Sequence, residues 1–257
     1  MVRIAVTGAA GTVGRVVLEA FGDEHEVVPF THSEETTLDS EHLDVTDPGD
    51  VETKLEGFDI VIHLAGASSL DADWETVSET NIQGTKHVLD AAIANGVDRV
   101  VYASSNHVVG TYNAAKDVPG DGQPRRSQYS PCRRADVAGL LLRREQGRLR
   151  ELTTFYANRY DLDVVNLRIG WHMTEQELRA TTSDDVDPGT VRFARAVWLS
   201  PPDCRDIHRK AATADLSRIP ITVNPISRND DRYFTITEAM RSLGYRPRDN
   251  VAEVLDS

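Results

Sequence analysis

The feature that most constrains this chain is a glycine-rich turn that begins at its seventh residue. An apolar run, Arg3–Val6, leads directly into Thr7–Gly14, where a glycine recurs at every third position. Such glycines permit a tight turn, a close approach of the backbone to a pyrophosphate and close packing of a helix on a strand. We therefore predict a nucleotide-cofactor site and not merely a tight turn. The cofactor-binding candidates in this turn are Gly8, Gly11, Thr12, Val13 and Gly14.

Short β-branched runs alternate with helix-period runs through the first two-thirds of the chain. The apolar runs show no polar alternation, which is typical of parallel strands covered on both faces. Alternation of strand and helix predicts an α/β fold, a doubly wound parallel sheet of the Rossmann type. We expect strands at Arg3–Val6, Glu26–Phe30, Asp59–His63, Arg99–Ala103 and Asp163–Ile169. We expect helices at Thr12–Phe21, Pro48–Leu55, Trp74–Asn95 and Leu152–Tyr160.

The C-terminal third has a different pattern, with fewer strand-like runs. Its expected elements are a helix at Val191–Leu199, a strand at Ile221–Ile226 and a helix at Thr237–Leu243. In an open α/β sheet such a portion covers the cofactor crevice. We therefore predict one domain over residues 1–257, in which 170–257 contribute most of a small substrate cap.

Composition argues against several kinds of partner. The net charge of -13 disfavours nucleic acid and anionic membrane surfaces, and no run of 18 apolar residues is present to span a membrane. Four of the 28 basic residues are lysine, and such an acidic, lysine-poor composition is typical of a salt-adapted protein. The two cysteines form no C-x-x-C motif and the N-terminus has no signal-peptide pattern. We expect a reduced, cytoplasmic protein without a metal.

Four motifs together resemble the extended, sugar-acting branch of the short-chain dehydrogenase/reductase superfamily. The first is the glycine spacing G-x-x-G-x-x-G. His63–Gly66 resembles the branch's cofactor-lining turn, Leu43–Asp47 its adenine-contacting segment, and Asn81–Thr85 its central-helix asparagine motif. Taken singly, His63 also fits a core histidine, but the order and spacing are those of the branch. The resemblance implies cofactor contacts at Asp44, Val45, Leu64, Ala65, Gly66 and Asn81.

The resemblance favours NAD over NADP as the cofactor. NAD enzymes place an Asp or Glu near the end of the second strand, where it binds the ribose hydroxyl. Here Pro29–Glu34 has no acid at the expected position and no nearby arginine to accept a 2′-phosphate. The residues by themselves leave the choice between the two cofactors open.

The segment Ala103–Gly110 ends the next strand, at the sheet edge where α/β proteins bind ligands. Its S-S-N-H string resembles uronate dehydrogenases and archaeal NAD-dependent sugar dehydrogenases, which oxidise the anomeric carbon of a sugar to a lactone. The resemblance implies that Ser105 is the catalytic serine that holds the reacting hydroxyl. It also implies substrate contacts at Ser68, Asn106 and His107. On the residues alone, Ser104 and Ser105 also fit a cap or a turn.

Two downstream strings, Asn166–Gly170 and Trp198–Ser200, match the same subgroup. The family places an arginine that binds the sugar's anionic group a few residues before the second string. Arg192 and Arg195 bracket that position, and we take Arg192 as the substrate-binding candidate, although either also fits a solvated helix face. The family has a small polar residue where Trp171 stands, so the resemblance does not identify the sugar.

The family's catalytic Y-x-x-x-K pair has no counterpart at its expected position in this chain. In that pair the tyrosine is the acid/base, while the lysine lowers the tyrosine pKa and holds the nicotinamide ribose. The string Tyr112–Lys116 has the pattern, but it precedes Arg168 by 56 residues, which is too far for the subgroup's spacing. The nearest string, Tyr129–Arg133, has arginine in place of lysine and a helix-breaking Pro131. In the subgroup the tyrosine precedes the L-R-I-G arginine by 26 residues. Counting back from Arg168 gives Leu142, with Gln146 four residues further on, and neither can perform the chemistry.

A second reading frame accounts for the unusual segment Ala138–Gly147. The permitted codons GCC GGA CTC CTA CTA CGG CGT GAG CAA GGT, read one base later, encode P-D-S-Y-Y-G-V-S-K-V, the family's catalytic segment. Tyrosine and lysine then fall at positions 142 and 146, in agreement with the count from Arg168. We hypothesise that a segment beginning within 111–137 and ending near 150 is translated out of frame. The alternative is an arginine-rich surface helix.

The function implied by the resemblance is NAD-linked oxidation of the anomeric carbon of an aldose, sugar phosphate or uronic acid, impaired in the chain as written. A small sugar is the expected substrate. The superfamily's two-helix dimers make a homodimer through Trp74–Asn95 and 140–160 possible, and misreading of the second helix would prevent it. The alternatives are a nucleotide-sugar epimerase or dehydratase, which usually carries a larger C-terminal portion, and a non-catalytic dinucleotide-binding protein.

Overall fold

Seven parallel strands form the central sheet of the computed structural model, which describes residues 1–32, 37–67, 72–105, 149–216 and 220–256. Their order is β3-β2-β1-β4-β5-β6-β9, and β7 pairs with β8 in a separate two-stranded sheet. The strands are β1 (Arg3–Thr7), β2 (Glu26–Thr31), β3 (Glu41–His42), β4 (Ile60–His63), β5 (Arg99–Ser105), β6 (Asp163–Ile169), β7 (Trp171–His172), β8 (Trp198–Leu199) and β9 (Ile221–Val223). The predicted parallel α/β sheet is confirmed.

The strand order reverses beside β1. The chain moves outward from β1 to β2 and β3 and then returns to the other side of β1 with β4. In register, Thr7 is level with Phe30 on one side and His63 on the other, and His63 is level with Tyr102. The carboxyl ends of four strands therefore meet at one edge, on either side of the reversal. Ligands of open α/β sheets bind at this place.

Helices cover both faces of the sheet. On one face Val17 and Ile207 pack against Ile4 and Val6 of β1, and on the other Leu89 and Tyr156 join the cluster around Val61. The helices are α1 (Thr12–Leu18), α2 (Pro48–Lys54), α3 (Trp74–Val77), α4 (Gly84–Ala94), α5 (149–159), α6 (Glu175–Thr181), α7 (Pro188–Val197), α8 (Pro201–Thr213), α9 (Thr237–Ser242) and α10 (Val251–Asp256). A 3₁₀ turn follows α1 at Gly22–Glu24, and a π-helical segment, Ser78–Gln83, joins α3 to α4.

Several predicted boundaries differ from the structure. The predicted helix Val191–Leu199 instead begins at Pro188, because the Asp187 side chain accepts the N–H groups of Gly189 and Thr190. It ends at Val197, and the next two residues form β8 because their backbone pairs with β7. The predicted continuous helix Trp74–Asn95 is interrupted by the π-helical segment.

The sequence analysis missed α8, a thirteen-residue helix. Its buried positions, Cys204, Ile207, His208 and Ala211, follow the helical spacing of three and four residues. Half of its residues are charged or polar, and it begins with two prolines, so the periodic signal is weak. Within the part of the chain that the structure describes, no helix is long and apolar enough to cross a membrane.

The C-terminal residues form a small core of their own beyond the end of β6. Trp198 is fully buried in it, and its indole N–H donates to the carbonyl of Met173 at 2.8 Å. Leu178, Ala194 and Val251 pack around it. Gly170 lies directly after β6, next to this core, and its N–H donates to the Pro225 carbonyl at 3.0 Å.

Replacement of Gly170 by alanine should destabilise the protein by about 3 kcal/mol, because overpacking against fixed backbone is costly. A β-carbon there would collide with the Val197 carbonyl oxygen and would lie 2.8 Å from a methyl group of Ile226. The measurement is the urea midpoint of unfolding. Gly49→Ala is the matched control, since its nearest neighbour is a side-chain oxygen of Asp47 at 3.4 Å, and the expected change is within about 0.5 kcal/mol. Equal midpoints for the two variants would contradict the close packing.

Candidate cofactor site

A pocket of about 780 Å³ opens at the carboxyl edge of the sheet, where the strand order reverses. It is one continuous cavity from the glycine-rich turn to the end of β5. The structure brings together all the described cofactor candidates and Ser105. Its lining includes Gly8, Gly11, Thr12, Val13, Gly14, Asp44, Val45, Leu64, Ala65, Gly66, Asn81 and Ser105.

The glycine-rich turn lies directly against the turn that follows β4. Gly8 has a φ of +69°, a left-handed conformation that suits glycine. A β-carbon on Gly8 would lie 2.7 Å from the backbone nitrogen of Ala65, and one on Gly14 would lie 2.5 Å from the Gly8 carbonyl oxygen. Gly11 donates its N–H to the Gly8 carbonyl at 3.0 Å, which closes the turn. The glycines are therefore required by close backbone contacts at two of the three positions.

A chain of buried side chains connects these two turns to α4. The Ala65 N–H donates to Thr7 Oγ1 at 3.2 Å, and Thr7 Oγ1 lies 2.8 Å from His63 Nδ1. On the other side of the ring, His63 Nε2 lies 3.2 Å from Thr85 Oγ1. All three side chains are satisfied if Thr7 donates its hydroxyl proton to Nδ1 and Nε2–H donates to Thr85. Burial lowers the pKa of His63 to about 4, so the ring is neutral at ordinary pH.

Asn81 holds the far end of the same turn. Its Oδ1 accepts the Ala67 N–H at 2.6 Å, and its Nδ2 donates to the Ala67 carbonyl at 3.1 Å. The π-helical segment brings this side chain to the pocket wall, where it is buried. Both the oxygen and the nitrogen of the Asn81 amide thus form hydrogen bonds with the Ala67 backbone. Direct contact between Asn81 and the cofactor stays a prediction.

Asp44 lies at the end of the pocket beyond β2 and β3. Its Oδ1 accepts both the N–H and the hydroxyl of Thr46, at 2.9 and 2.8 Å. Partial burial raises the pKa of Asp44, but the Thr46 hydrogen bonds and the nearby imidazoles of His32 and His42 outweigh it and lower the pKa overall. Val45 accepts a hydrogen bond from His87 of α4 through its carbonyl. Asp44 is therefore a charged, fixed carboxylate.

Ser105 is the last residue of β5 and is paired in register with Ile169 of β6. Both residues line the pocket, and Ser104 and Tyr102 lie beside them. This places Ser105 at the ligand-binding edge, as the motif predicts. Its catalytic role stays a prediction. Ser68, Asn106 and His107 lie outside the described residues, as do Leu142 and Gln146.

The structure does not bring Arg192 to the pocket lining. Its side chain is exposed on α7 and close enough to Tyr233 to lower the pKa of that phenol, against a larger rise caused by burial. Arg195 pairs with Asp231 at 2.9 Å. Trp171 packs against Phe193, with ring centroids 5.9 Å apart. Substrate binding by Arg192 stays a prediction.

Sequence reasoning missed four residues at this site. Thr7, His32 and Thr85 line the pocket, and Arg15 lies next to it, since Arg15 donates to the carbonyl of the lining residue Ala10 at 3.1 Å. The expectation of no nearby arginine considered only residues next to β2 in sequence, whereas Arg15 also donates to Thr37, beyond β2, at 3.4 Å. Arg15 comes from α1, immediately after Gly14. That adjacency to the glycine motif is the signal that could have identified it.

Replacement of Gly8 by alanine should weaken NAD binding by at least about 30-fold, or roughly 2 kcal/mol, since its β-carbon would push the two turns apart. Isothermal titration with NAD measures the effect. Gly22→Ala is the matched control: Gly22 also has a positive φ, +52°, but a β-carbon there meets nothing within 4 Å. Both variants should lose about 1–2 kcal/mol of stability from backbone strain. If Gly8→Ala bound NAD as Gly22→Ala does, the proposed contact of the turns would be wrong.

Stability should fall as the pH is lowered from 6.5 towards 4, because buried histidines with a lowered pKa bind fewer protons folded than unfolded. The pKa values of His63 and His208 are each lowered by burial to about 4. Between pH 7 and 5 each should cost about 2 kcal/mol, measured by urea unfolding. His63→Gln should remove one such loss. His208→Gln, in α8, should remove the other and leave NAD affinity unchanged. An undiminished loss in both variants would contradict this assignment.

The chain matches a family model over residues 4–183, described as the NAD dependent epimerase/dehydratase family. It is 44% identical over 268 residues to L-arabinose 1-dehydrogenase (NAD(P)(+)) of Haloferax volcanii, with all of both chains covered. It is 32% identical to NAD-dependent glucose-6-phosphate dehydrogenase of the same organism, over 97% of this chain and 94% of that one.

Solved structures agree with these matches. Uronate dehydrogenase from Agrobacterium tumefaciens is similar to all of this chain, over 88% of its own length, with a TM-score of 0.74 and 25% identity. Another structure of that enzyme holds NAD. The predictions of fold, family resemblance and NAD as cofactor are confirmed, while the relative's NAD(P) name leaves NADP open. The chain belongs to the NAD-dependent epimerase/dehydratase family.

Proposed function

We propose that this chain is by descent an NAD-dependent oxidoreductase that oxidises the anomeric carbon of an aldose, sugar phosphate or uronic acid to a lactone. The observation that carries the proposal is the single cavity that joins the glycine-rich turn to Ser105. The relatives support it, because their names specify L-arabinose, glucose 6-phosphate and uronate, and all three match this chain over at least 96% of its length.

NAD, when bound, supplies the hydride acceptor of this reaction. The C1–H bond of the cyclic sugar breaks with its electron pair, the C1 hydroxyl loses its proton, and C1–O becomes a carbonyl. The products are a lactone, NADH and a proton. Ser105, at the carboxyl end of β5, would hold the C1 hydroxyl, and the glycine-rich turn after β1 would hold the pyrophosphate. β4 lies between β1 and β5 and pairs with both, so the sheet sets the separation of these two ends.

Removal of the hydroxyl proton is the step that the written chain supports least. The resemblance assigns the acid/base and its lysine to the positions of Leu142 and Gln146, which have no basic or titratable group. A serine hydroxyl at its ordinary pKa is a weak proton acceptor and a weak nucleophile unless a base activates it. We therefore propose that the written chain binds NAD weakly and turns over little. A segment read in the second frame would supply both missing groups.

A second candidate function follows from the same observation. If Leu142 and Gln146 are the native residues, the pocket serves a non-catalytic dinucleotide-binding protein. Such a protein binds NAD measurably and turns over no sugar. The other alternative, a nucleotide-sugar epimerase or dehydratase, returns its hydride to the product. Net accumulation of NADH therefore separates a dehydrogenase from that alternative.

Replacement of residues 138–147 by P-D-S-Y-Y-G-V-S-K-V should raise turnover by about 10²–10⁴-fold, the usual contribution of general acid–base catalysis. NADH formation at 340 nm from L-arabinose, glucose 6-phosphate and glucuronate measures it. The control is the same replacement with phenylalanine in place of the second tyrosine, which should stay at the level of the written chain. Turnover by the written chain equal to that of the replaced one would contradict the impairment.

Resequencing of the source gene across codons 111–152 tests the origin of the segment. One continuous frame that encodes Y-Y-G-V-S-K would show that the written segment is a reading error in an ordinary sugar dehydrogenase. DNA that encodes Leu142 and Gln146 would favour the non-catalytic candidate.

A further inference from the structure

Two guanidinium groups lie near the end of the pocket where β5 and β6 finish. Arg168 belongs to β6 and is partly buried, and Arg150 is an exposed residue in the first turn of α5. Burial lowers the pKa of Arg168, and the nearby charge of Arg150 lowers it further. Neither guanidinium forms a hydrogen bond or an ion pair with another of the residues that the structure describes. Because a partly buried charge without an acceptor is costly, Arg168 requires an anion.

The other arginine of these two strands has the acceptors that Arg168 lacks. Arg99 begins β5 at the opposite edge of the sheet and is also partly buried. Its guanidinium donates to the Asp163 carboxylate at 2.9 Å and to the carbonyls of Ala212 and Ala214 at 2.7 and 2.9 Å. The same fold thus pairs one such guanidinium fully, and the unpaired one lies at the edge where ligands bind.

A buried amide adds a further donor on the same face of β6. Asn166 precedes Arg168 by two residues, so both side chains project to the face of the sheet that α5 covers. Thr153 of α5 donates to Asn166 Oδ1 at 2.9 Å, and its hydroxyl also lies 3.0 Å from the Arg150 carbonyl. Asn166 Nδ2 is buried and has no partner among the described residues. We call Arg150, Asn166 and Arg168 the donor cluster.

The strand register places the donor cluster beside the pocket. Arg168 is level with Ser104 of β5, and Ile169 is level with Ser105. Ser104, Ser105 and Ile169 line the pocket. Adjacent strands are about 4.8 Å apart, so Arg168 lies one strand spacing beyond this lining. A ligand that lies across the carboxyl edge of the sheet can therefore reach Ser105 and the Arg168 guanidinium together.

We propose that the donor cluster binds the carboxylate or phosphate of an acidic sugar whose C1 hydroxyl lies at Ser105. The inference rests on the proposed function and narrows its substrate to uronic acids and sugar phosphates. Guanidinium groups bind both anions, often through two parallel hydrogen bonds. A neutral aldose offers a hydroxyl at this place and leaves the charge of Arg168 unpaired. The donor cluster lies between β6 and α5, apart from Arg192 on α7.

The test is isothermal titration of the full chain with glucose, glucose 6-phosphate and glucuronate. NADH is present, so that no sugar is oxidised. The three sugars share the C1 hydroxyl and differ at C6. Both acidic sugars should bind at least about tenfold more tightly than glucose, which is the usual effect of hydrogen bonds to a charged group. Inorganic phosphate alone, which lacks the contacts of the sugar ring, should bind at least about tenfold more weakly than glucose 6-phosphate.

Arg168→Gln should reduce the preference for both acidic sugars to within about threefold of glucose, because the charge is lost. Arg168→Lys keeps the charge without the planar fork and should retain a preference of at least about fivefold. Arg150→Gln, an exposed change that spares the fold, should lower the preference at least about threefold. Arg159→Gln is the matched control: it removes the same charge from the other end of α5, where Arg159 lies over the Tyr160 ring, and it should leave the preference unchanged.

Equal affinities for the three sugars would overturn the inference and leave oxidation of a neutral aldose as the proposal. A preference that survives both Arg168→Gln and Arg150→Gln would also overturn it, since the anion would then bind elsewhere. Inorganic phosphate that binds as tightly as glucose 6-phosphate would indicate a site for free phosphate and contradict the sugar ligand. Failure of all three sugars to bind would overturn the proposed function itself.

Discussion

The contact between the glycine-rich turn and the turn after β4 is the constraint on which the rest of the site depends. Gly8 lies too close to Ala65 for any side chain, and the Thr7–His63–Thr85 chain holds both turns to α4. Hydrogen bonds between buried groups are costly to leave unmade, so each member fixes its neighbours. The two turns are therefore held in fixed positions at the strand reversal, and the cofactor pocket lies against them.

The residues that form the described pocket are separate in the sequence from the segment to which the resemblance assigns the catalytic pair. Most of the described residues that line the pocket come from the first 105 residues, and Ile169 at the end of β6 completes the lining. The resemblance assigns proton transfer to another segment, at the positions of Leu142 and Gln146. A chain of this kind can therefore retain a cofactor pocket after its catalytic pair is lost, whether in the protein or only in the reading of its gene. Binding and turnover are separate properties here.

The two ends of the pocket differ in charge. The end beyond β2 and β3 has a charged Asp44 held by Thr46 and the imidazoles of His32 and His42. The other end, at Ser105 and Ile169, has no carboxylate, imidazole or basic side chain among the described lining residues nearest to it. Arg192, the cation that the family pattern offered for the sugar, is exposed on α7. The charged groups of the described lining therefore lie at the end of the pocket beyond β2 and β3.

The sequence by itself determined the sheet, the glycine-rich turn and the cofactor candidates, because strand periodicity and glycine spacing are local properties. It also exposed the missing tyrosine and lysine, since a count from Arg168 needs no coordinates. Only the tertiary structure revealed that the Asn81 amide hydrogen-bonds the Ala67 backbone and that Trp198 lies in β8, paired with β7. It also revealed that Arg15 donates to Thr37, beyond β2. The residues in each of these contacts are 14 to 27 positions apart in the sequence. Local sequence patterns do not specify contacts between residues at such separations.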